Sequence, residues 1–491
     1  MILQEKVKIM KKLIYRISFI CLLLVTVQVF AQWQTDVRLT NNTANTLASR
    51  DKGIAVYGNN IHVVFQDHRD GDGEVYYIRS TNSGVSWSTE QRLSPIGNFS
   101  VAPTIALYQS TIHVVWFDLR LPTFDIFYMR STDNGTTWQP EVQLTTDSLD
   151  SQYPALSVSG NNVYLAWDDN RHPPNTEIYF RRSTNAGVNW SSEMRLTNDT
   201  VVSNDISVAS IGQIIHLAWV SGTGNSEIYY RKSTNGGANW STEQRLTNDP
   251  FISFNPCFAL GGQNINLLWS DSRDGNSEIY FKKSTDGGAV WSTDLRLTNA
   301  VNNSTSPSAV AFGQMIGVVW TDFRLNFNKI YYKASTNGGQ DWSEDLFIST
   351  PFNFGYAIYS SIDISDSSLH VVWEDARHGS PELYYRKNIL GSPVEVTPVN
   401  NEIPSEFSLS QNYPNPFNPV TNIKFSIPKT GLVKLTVYDA TGRETAALFN
   451  GELSAGTYSY DFDASQLTSG IYFYRLEANE FTQTKKMVLI K

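Results

Sequence analysis

Hydrophobic and polar residues alternate along short stretches of the chain, and these stretches come in pairs. One stretch reads Glu-Ile-Tyr-Tyr-Arg-Lys-Ser from Glu227 to Ser233, and its partner reads Glu-Gln-Arg-Leu-Thr from Glu243 to Thr247. Alternation with a period of two residues predicts half-buried antiparallel strands. The segment between them begins with Ser-Thr-Asn-Gly-Gly and reaches Trp240, which is typical of a tight turn. The pattern therefore predicts a β-hairpin here.

This turn motif occurs six times in the sequence. The phrase Ser-Thr-(Asn/Asp)-x-Gly-x-x-Trp recurs at intervals of 51, 52, 50, 51 and 51 residues, a spacing that indicates a repeat architecture. The Asn or Asp side chain can bond its own backbone, the Gly tolerates positive φ, and the Trp is expected to pack between neighbouring units. The three positions are Asn82, Gly84, Trp87; Asp133, Gly135, Trp138; Asn185, Gly187, Trp190; Asn235, Gly237, Trp240; Asp286, Gly288, Trp291; and Asn337, Gly339, Trp342.

A second marker, a strand of the type His-Val-Val-Trp-x-Asp-x-Arg, occurs seven times. Its aromatic residues are Phe65, Trp116, Trp167, Trp219, Trp269, Trp320 and Trp373. The seventh unit ends at Asn388 without its turn, whereas the segment Trp33–Thr40 matches Trp291–Thr298 almost residue for residue. An N-terminal strand that completes the last unit would close a ring and leave no exposed sheet edge. We therefore predict an all-β fold, a seven-bladed β-propeller over residues 32–388. Each blade has four strands, and small first strands line the channel.

The repeated turn resembles the Asp-box, or BNR repeat, of sialidase-like β-propellers. In that family the box is a structural turn on the face away from the active site, so the resemblance implies a structural role for it here. Sialidases that share the box are six-bladed, so a count of seven departs from the family. The resemblance would also imply three arginines, a Tyr–Glu pair and an Asp for catalysis. Their N-terminal Phe/Tyr-Arg-Ile-Pro is absent, although Arg120-Leu121-Pro122 imitates it.

The candidate ligand-binding residues are the Asp-x-Arg pairs that follow the second strand, on the face opposite the Asp-box turns. They are Asp67 and Arg69, Asp118 and Arg120, Asp169 and Arg171, Asp271 and Arg273, Asp322 and Arg324, and Asp375 and Arg377. Six nearly equal pairs favour a structural role in holding the loops, because an active site needs unlike residues in unlike roles. The alternative is a polar ring that binds sugar hydroxyls or a carboxylate-bearing ligand. No unique catalytic residue is identified.

Metal and cofactor chemistry finds little support in the sequence. Four histidines, His62, His113, His216 and His370, share one strand position, and one per unit cannot cluster as metal ligands. The loops 70–74 and 274–278 are rich in oxygen ligands, as calcium loops are, but lack the full pattern, so solvated turns are expected. We predict no cofactor, with calcium as the alternative. Cys257 is expected to be a small buried residue of an inner strand.

The N-terminal residues of the chain have the pattern of an export signal. Five basic residues precede the apolar run from Ile17 to Phe30, which predicts a signal peptide over residues 1–31. Met10 is an alternative start. Removing this leader takes the formal charge from -9 to about -13, which argues against nucleic acid as a partner. No later run is long enough to span a membrane.

After a linker at 389–404, residues 405–491 lack Trp and show no period. Here Ser408–Pro419 reads Ser-Leu-Ser-Gln-Asn-Tyr-Pro-Asn-Pro-Phe-Asn-Pro, and strands are predicted at 421–427, 432–438, 456–462 and 471–476. The region resembles the type A C-terminal sorting domain of type IX secretion cargo. That resemblance implies a small Ig-like β-sandwich recognised by the outer-membrane export machinery.

The sequence thus predicts an exported propeller, secreted or at the cell surface, that binds a glycan or protein at the loop face. The alternative is an exo-sialidase-like glycoside hydrolase, and a purely structural surface protein is a third reading. A binder needs only pockets, whereas an enzyme needs a unique acid and nucleophile. A monomer is expected.

Overall fold

The computed structural model describes residues 32–49, 52–121, 123–146, 148–262, 264–349, 355–365, 368–389, 397–400, 404–429, 431–453, 456–464, 467–478 and 481–491. The chain divides into a seven-sheet unit, Trp33–Ile389, and a C-terminal unit that begins at Leu390. The predicted signal peptide lies outside the described residues, and the predicted linker is described only in part. Within the described ranges, no helix is long and apolar enough to cross a membrane.

In the described residues the first unit contains seven antiparallel sheets, numbered here in chain order, and sheets 2 to 6 each pair four strands in their sequence order. Sheet 1 contains β3 (Thr46–Ala48), β4 (Ile54–Tyr57), β5 (Asn60–Asp67), β6 (Glu74–Ser80) and β7 (Gln91–Arg92). Sheet 2 contains β8 (Phe99–Tyr108), β9 (Thr111–Leu121), β10 (Thr123–Ser131) and β11 (Val142–Gln143). Sheet 3 contains β12 (Ser151–Ser159), β13 (Asn162–His172), β14 (Asn175–Ser183) and β15 (Met194–Arg195).

The next three sheets repeat the four-strand pattern. Sheet 4 contains β16 (Ser203–Ile211), β17 (Ile214–Ser221), β18 (Glu227–Ser233) and β19 (Gln244–Arg245). Sheet 5 contains β20 (Ser253–Gly261), β21 (Asn264–Asp271), β22 (Glu278–Ser284) and β23 (Leu295–Arg296). Sheet 6 contains β24 (Ser304–Phe312), β25 (Met315–Asp322), β26 (Lys329–Ser335) and β27 (Leu346–Phe347).

Sheet 7 takes its strands from both ends of the unit. Its own strands are β28 (Ala357–Ser365), β29 (Ser368–Asp375) and β30 (Glu382–Ile389), and it receives β1 (Gln32–Trp33) and β2 (Val37–Arg38) from the N-terminal side. Val37 pairs with Tyr385 and Arg38 with Tyr384. The N-terminal segment therefore occupies the outer position that the sequence match predicts for it.

The outermost strand of sheet 4 is shorter than predicted. The prediction at Glu243–Thr247 reduces to β19, Gln244–Arg245. Beyond it, the Leu246 N–H still donates to the Ile228 carbonyl at 2.8 Å, but the hydroxyl of Thr247 turns inward to Glu227. Side-chain bonds thus replace part of the ladder at the outer edge.

Hydrophobic cores lie between neighbouring sheets. The aromatic residue of each second strand is fully buried, as Trp167 and Phe65 show, and one cluster joins residues of sheets 2 and 3. Another cluster joins Val63 of sheet 1 to Val372 and Tyr385 of sheet 7, so the packing returns to its start. Among the described residues the unit is all-β, with an arrangement consistent with a β-propeller.

The C-terminal unit contains two antiparallel sheets around one apolar core. The first comprises β31 (Thr397–Asn400), β32 (Ser408–Leu409), β33 (Val420–Ile427) and β36 (Gly456–Asp463). The second comprises β34 (Gly431–Asp439), β35 (Glu444–Leu453), β37 (Gly470–Ala478) and β38 (Phe481–Leu489). The four strands predicted in this region are present within one or two residues.

Candidate functional site

Each sheet of the seven-sheet unit has two ends with different loops. The loop end carries the turns between second and third strands together with the loops that lead to the next sheet. The box end carries the Asp-box turns and the turns between first and second strands. Antiparallel pairing within every sheet produces this division, because alternate connections must lie on opposite ends.

At the loop end, each Asp-x-Arg pair braces its own sheet, and sheet 3 shows the arrangement. Arg171 donates from Nε to Oδ1 of Asp169 at 2.7 Å and also contacts Glu193, which precedes the outer strand. The guanidinium lies 4.1 Å from the ring centre of Tyr179 on the third strand. Burial acts to raise the pKa of Asp169, but the bonds from Arg171 outweigh it and lower that pKa. One arginine thus ties together three strands.

The other five pairs repeat this brace. Each arginine bonds the aspartate two residues before it, and each bonds an acidic residue beside the outer strand. These contacts are Asp67 with Arg69 and Glu90, Asp118 with Arg120 and Glu141, Asp271 with Arg273 and Asp294, Asp322 with Arg324 and Asp345, and Asp375 with Arg377 and Asp36. The pairs lie one to a sheet, so the structure does not gather them into one site. A ligand-binding role for them stays a prediction.

At the box end, the tryptophan of each turn packs on an aromatic ring of the preceding sheet. The ring centres of Trp138 and Tyr77 are 5.0 Å apart in an edge-to-face arrangement, and those of Trp190 and Tyr128 are 5.1 Å apart. The N-terminal Trp33 contacts Tyr332 of sheet 6 in the same way, at 5.1 Å. These rings join neighbouring sheets.

The repeated histidines stay inside their own sheets. Nδ1 of His113 lies 2.7 Å from the hydroxyl of Tyr128, and the other three histidines make the same bond to a tyrosine of the third strand. Burial lowers the pKa of His113 to about 3, so its ring is neutral at pH 7. In the loop 70–74, Oδ2 of Asp70 accepts bonds from both Tyr76 and Arg92.

A central cavity of about 910 Å³ is lined by the first strands of all seven sheets. Sequence reasoning placed a channel here but assigned it no function. Cys257, expected to be buried, is only partly buried and lines this cavity. The correction follows from its place on a first strand, where alternate side chains face the channel.

One residue near the start of six first strands has positive φ. These residues are Ala102, Tyr153, Asp205, Asn255, Ser306 and Tyr359, with φ between 47° and 55°. At each of these points the pairing with the second strand shifts by a β-bulge. Bulges re-aim side chains, and strained backbone collects at functional positions. All six residues line the cavity, and their side chains differ in size and polarity.

Near these positive-φ residues, a row of acid and amide side chains crosses sheets 3, 4 and 5. Oδ2 of Asp168 accepts the N–H of Asp205 at 3.4 Å, and Oδ2 of Asp205 accepts the backbone N–H and Nδ2 of Asn255 at 2.6 and 3.1 Å. Burial and the nearby charge of Asp205 raise the pKa of Asp168 well above its usual value. Burial also raises the pKa of Asp205. We call Asp168, Asp205 and Asn255 the acid arc.

An aromatic cluster lies next to the acid arc. Phe117 packs edge-on against Tyr153 at 5.1 Å and against Phe124 at 5.2 Å, and Phe124 lies 6.2 Å from Phe99. Tyr153 is 44% exposed and Phe99 is 37% exposed, so the cluster presents rings to solvent at the loop end. We call Phe99, Phe117, Phe124 and Tyr153 the aromatic cluster.

Sequence reasoning missed both groups, although a signal was present. The third residue of the first-strand motif is Ala102 in Ser-Val-Ala-Pro, Tyr153 in Ser-Gln-Tyr-Pro and Asp205 in Ser-Asn-Asp-Ile. A binding site needs different side chains for different contacts, and these can arise at positions that vary in polarity within an otherwise regular repeat. The Asp-x-Arg pairs are the candidates that the sequence offers, and their near-equal recurrence favours a structural role.

Solved structures that are similar to this chain include polysaccharide lyases and a sialidase. A polysaccharide lyase of family PL25, an ulvan lyase bound to -[GlcA(1-4)Rha3S]-, has a TM-score of 0.53 and 13% identity, covering 72% of this chain and 95% of that chain. The polysaccharide lyase Uly1 has a TM-score of 0.49 and 10% identity, covering 73% and 100%. A Trypanosoma rangeli sialidase in complex with 2,3-difluorosialic acid has a TM-score of 0.44 and 14% identity, covering 79% and 83%. The ulvan lyase, with the TM-score of 0.53, is a β-propeller, and at 13% identity its similarity to this chain concerns the fold alone.

The C-terminal unit has a clear relative. No curated protein matches the chain, but residues 411–491 match the family model described as a secretion system C-terminal sorting domain. The predicted sorting domain and the predicted export are therefore confirmed. The protein is cargo of the type IX secretion system, secreted or held at the cell surface, and residues 411–491 are its sorting domain.

Proposed function

We propose that the seven-sheet unit is a seven-bladed β-propeller that binds a glycan where its central cavity opens at the loop end. The C-terminal unit is then an Ig-like β-sandwich that directs export. Export delivers the propeller to the outside of the cell, where glycans are abundant. The proposal concerns binding, and it includes no catalytic step.

The aromatic cluster beside the acid arc is the observation that carries this proposal. Tyr153 belongs to the cluster and also lines the cavity, so it joins an exposed apolar surface to a polar interior. Small-molecule sites combine aromatic walls with a few placed polar groups, and a sugar ring offers an apolar face and hydroxyls to match. Asp205 and Asn255 supply the hydroxyl partners at the same level of the cavity.

The loop end is asymmetric in a way that suits one principal site. In sheets 2 and 3 the pairing of the second and third strands continues further into the loop end than in the others, since β9 extends to Leu121 and β13 to His172, whereas β17 stops at Ser221. Phe117 and Phe124 of the aromatic cluster belong to these two strands of sheet 2. A ring of equal pockets would have no use for such a difference.

The sialidase alternative has weaker support. A sialidase-like site needs arginines that converge on one substrate carboxylate. Each arginine of the six pairs instead bonds carboxylates of its own sheet, as Arg171 does with Asp169 and Glu193. We therefore keep binding as the proposed function.

A glycan array with matched tyrosine variants tests the proposal. Tyr153→Ala removes the ring that links cluster and cavity, and we expect a loss of binding of about tenfold. Tyr108→Ala is the control, because Tyr108 is 43% exposed but ends the first strand of sheet 2 at the box end, away from the aromatic cluster. Equal binding by the two variants, or no glycan bound by the parent protein, would overturn the proposal.

A further inference from the structure

The acid arc contains two carboxyl groups that form no ion pair with a cationic side chain in the described part of the chain. Among the described residues, neither Asp168 nor Asp205 takes part in a salt bridge, whereas the braces at the loop end are all paired. Asp168 is 6% exposed, and its Oδ1 has no hydrogen-bond partner. Asp205 uses Oδ2 for both bonds from Asn255. Burying a carboxylate without a partner is costly, so the arc is built for something that enters the cavity.

Asp168 and Asp205 lie at repeat positions where the other sheets carry different residues. Asp168 directly follows Trp167, and the residues that follow the corresponding aromatics are Gln66, Phe117, Val220, Ser270, Thr321 and Glu374. Asp205 is the only acid among the six residues with positive φ on the first strands. The pair therefore arises once, between sheets 3 and 4, and does not belong to the repeated frame.

A second unsatisfied group lines the same cavity from sheet 7. The hydroxyl of Ser360 has no hydrogen-bond partner, and the residue is only 5% exposed. It follows Tyr359, another residue with positive φ. Buried polar groups in native proteins nearly always have partners, so an unpartnered hydroxyl and an unpartnered carboxylate oxygen in one cavity point to a polar ligand.

We infer that the acid arc binds a primary ammonium group, so that the glycan taken by this cavity is an amino sugar. The inference rests on the proposed function and adds the ligand's charge. An ammonium has three donors and no acceptor. Oδ1 of Asp168, Oδ1 of Asp205 and Oδ1 of Asn255 are oxygens that can accept them, and Asn255 otherwise receives only a long bond from Ser306 at 3.5 Å.

A divalent cation fits the arc less well. Calcium takes six to eight oxygen ligands, and no group of three His, Cys, Asp or Glu in the described part of the chain is placed to hold a metal ion. The N–H groups of Asp205 and Asn255 also point at the carboxylates and would lie close to a bare ion. An ammonium needs fewer oxygens and shares the site with these donors.

The charged surroundings set the direction of the pH dependence. The charges of Asp205 on the next sheet and of Asp169 on the same strand both act on Asp168, and the wall of the cavity also carries Lys52 and Asp363. Because burial raises the pKa of Asp168 and Asp205, these acids keep their protons to higher pH than exposed aspartates do. An ammonium pairs best with their ionised forms, so binding should strengthen as the pH rises through these raised pKa values.

Chemical acetylation of a glycan array provides the test. The purified protein is applied to one array before and after its free amines are converted to acetamides with acetic anhydride. We expect binding to amine-bearing glycans to fall at least about tenfold on acetylation. We expect Asp205→Asn to lower binding to the untreated glycans by a similar factor. Asp72→Asn, which removes one exposed charge at the loop end, is the control for general electrostatic attraction and should bind as the parent does.

The outcomes distinguish a failure of the amino-sugar inference from a failure of the proposed glycan binding. Unchanged binding after acetylation, still weakened by Tyr153→Ala, would overturn the amino-sugar inference and leave glycan binding intact. Absence of binding on both arrays would overturn both. If Asp205→Asn does not fold, Asp168→Asn takes its place, and the acetylation result with the unaltered protein decides the matter alone.

Discussion

At the scale of single residues, an aromatic ring of the preceding sheet leaves no room for a side chain at the glycine of each Asp-box. A Cβ on Gly135 would overlap the hydroxyl oxygen of Tyr77, and one on Gly187 would overlap that of Tyr128. Tyr77 cannot easily withdraw, because its hydroxyl is 2.6 Å from Nδ1 of His62. Gly135 also has a φ of 75°, which disfavours any side chain. The box glycine thus serves the turn and the contact between sheets.

Gly135→Ala should lower the free energy of unfolding by about 3 kcal/mol, the sum of backbone strain and overpacking. Gly58→Ala is the matched control, since Gly58 also has positive φ, 56°, but a Cβ there meets nothing within 4 Å. This control should lose only about 1 kcal/mol. Urea unfolding of the two variants measures both. Equal losses would mean that the ring of Tyr77 imposes no constraint.

At the scale of elements, the Asp-x-Arg braces hold the loop end of each sheet. Asp169 is fully buried and also accepts bonds from Ser151 at 3.0 Å and from the indole of Trp167 at 2.8 Å. The brace therefore connects the first, second, third and outer strands. Sheet 4 lacks the pair and has Ser221 at the aspartate position, where Ser203 lies 3.4 Å away.

Arg171→Ala should destabilise the protein by about 3 kcal/mol, because it leaves the buried carboxylate of Asp169 without its charged partner. We expect the same substitution at Arg69, Arg120, Arg273, Arg324 and Arg377 to have comparable effects. Arg92→Ala is the control, since the Arg92–Asp70 pair is about one third exposed on both sides and should contribute less than about 1 kcal/mol. Chemical unfolding measures each variant. A single arginine that affected glycan binding without affecting stability would contradict a purely structural brace.

The elements also show how far the sequence alone could lead. The strand Glu227–Ser233 has the bounds that its alternation predicts, and the N-terminal segment lies where its match to Trp291–Thr298 places it. The strand β35 was missed, because Glu-Thr-Ala-Ala-Leu-Phe-Asn-Gly does not alternate cleanly. The acid arc was also missed. A bulge changes which side chain faces the channel, and contact between Asp168 and Asp205 depends on two different sheets.

At the scale of the whole molecule, the repeats and their exceptions have different tasks. The repeated tryptophans, histidines and Asp-x-Arg pairs make the same contacts in sheet after sheet, and they stabilise the frame. The unlike residues collect around the cavity, where Tyr153 and Asp205 occupy equivalent positions on neighbouring sheets. The packing between sheets 7 and 1 is part of this frame, because it also positions β28, the first strand of sheet 7.

The last prediction concerns the N-terminal segment that completes sheet 7. Arg38 bonds Glu382 at 2.8 Å, the Leu39 N–H donates to the Leu383 carbonyl at 2.8 Å, and Trp33 packs on Tyr332. A chain that begins at Asn41 loses these contacts and exposes the edge of β30. Compared with a chain that begins at Gln32, it should melt about 5 to 10 °C lower and aggregate sooner on heating. A synthetic peptide of residues 33–40 should restore part of the loss, because it can pair with the same edge. Identical melting of the two chains, with no response to the peptide, would show that the N-terminal strand does not hold the sheets together.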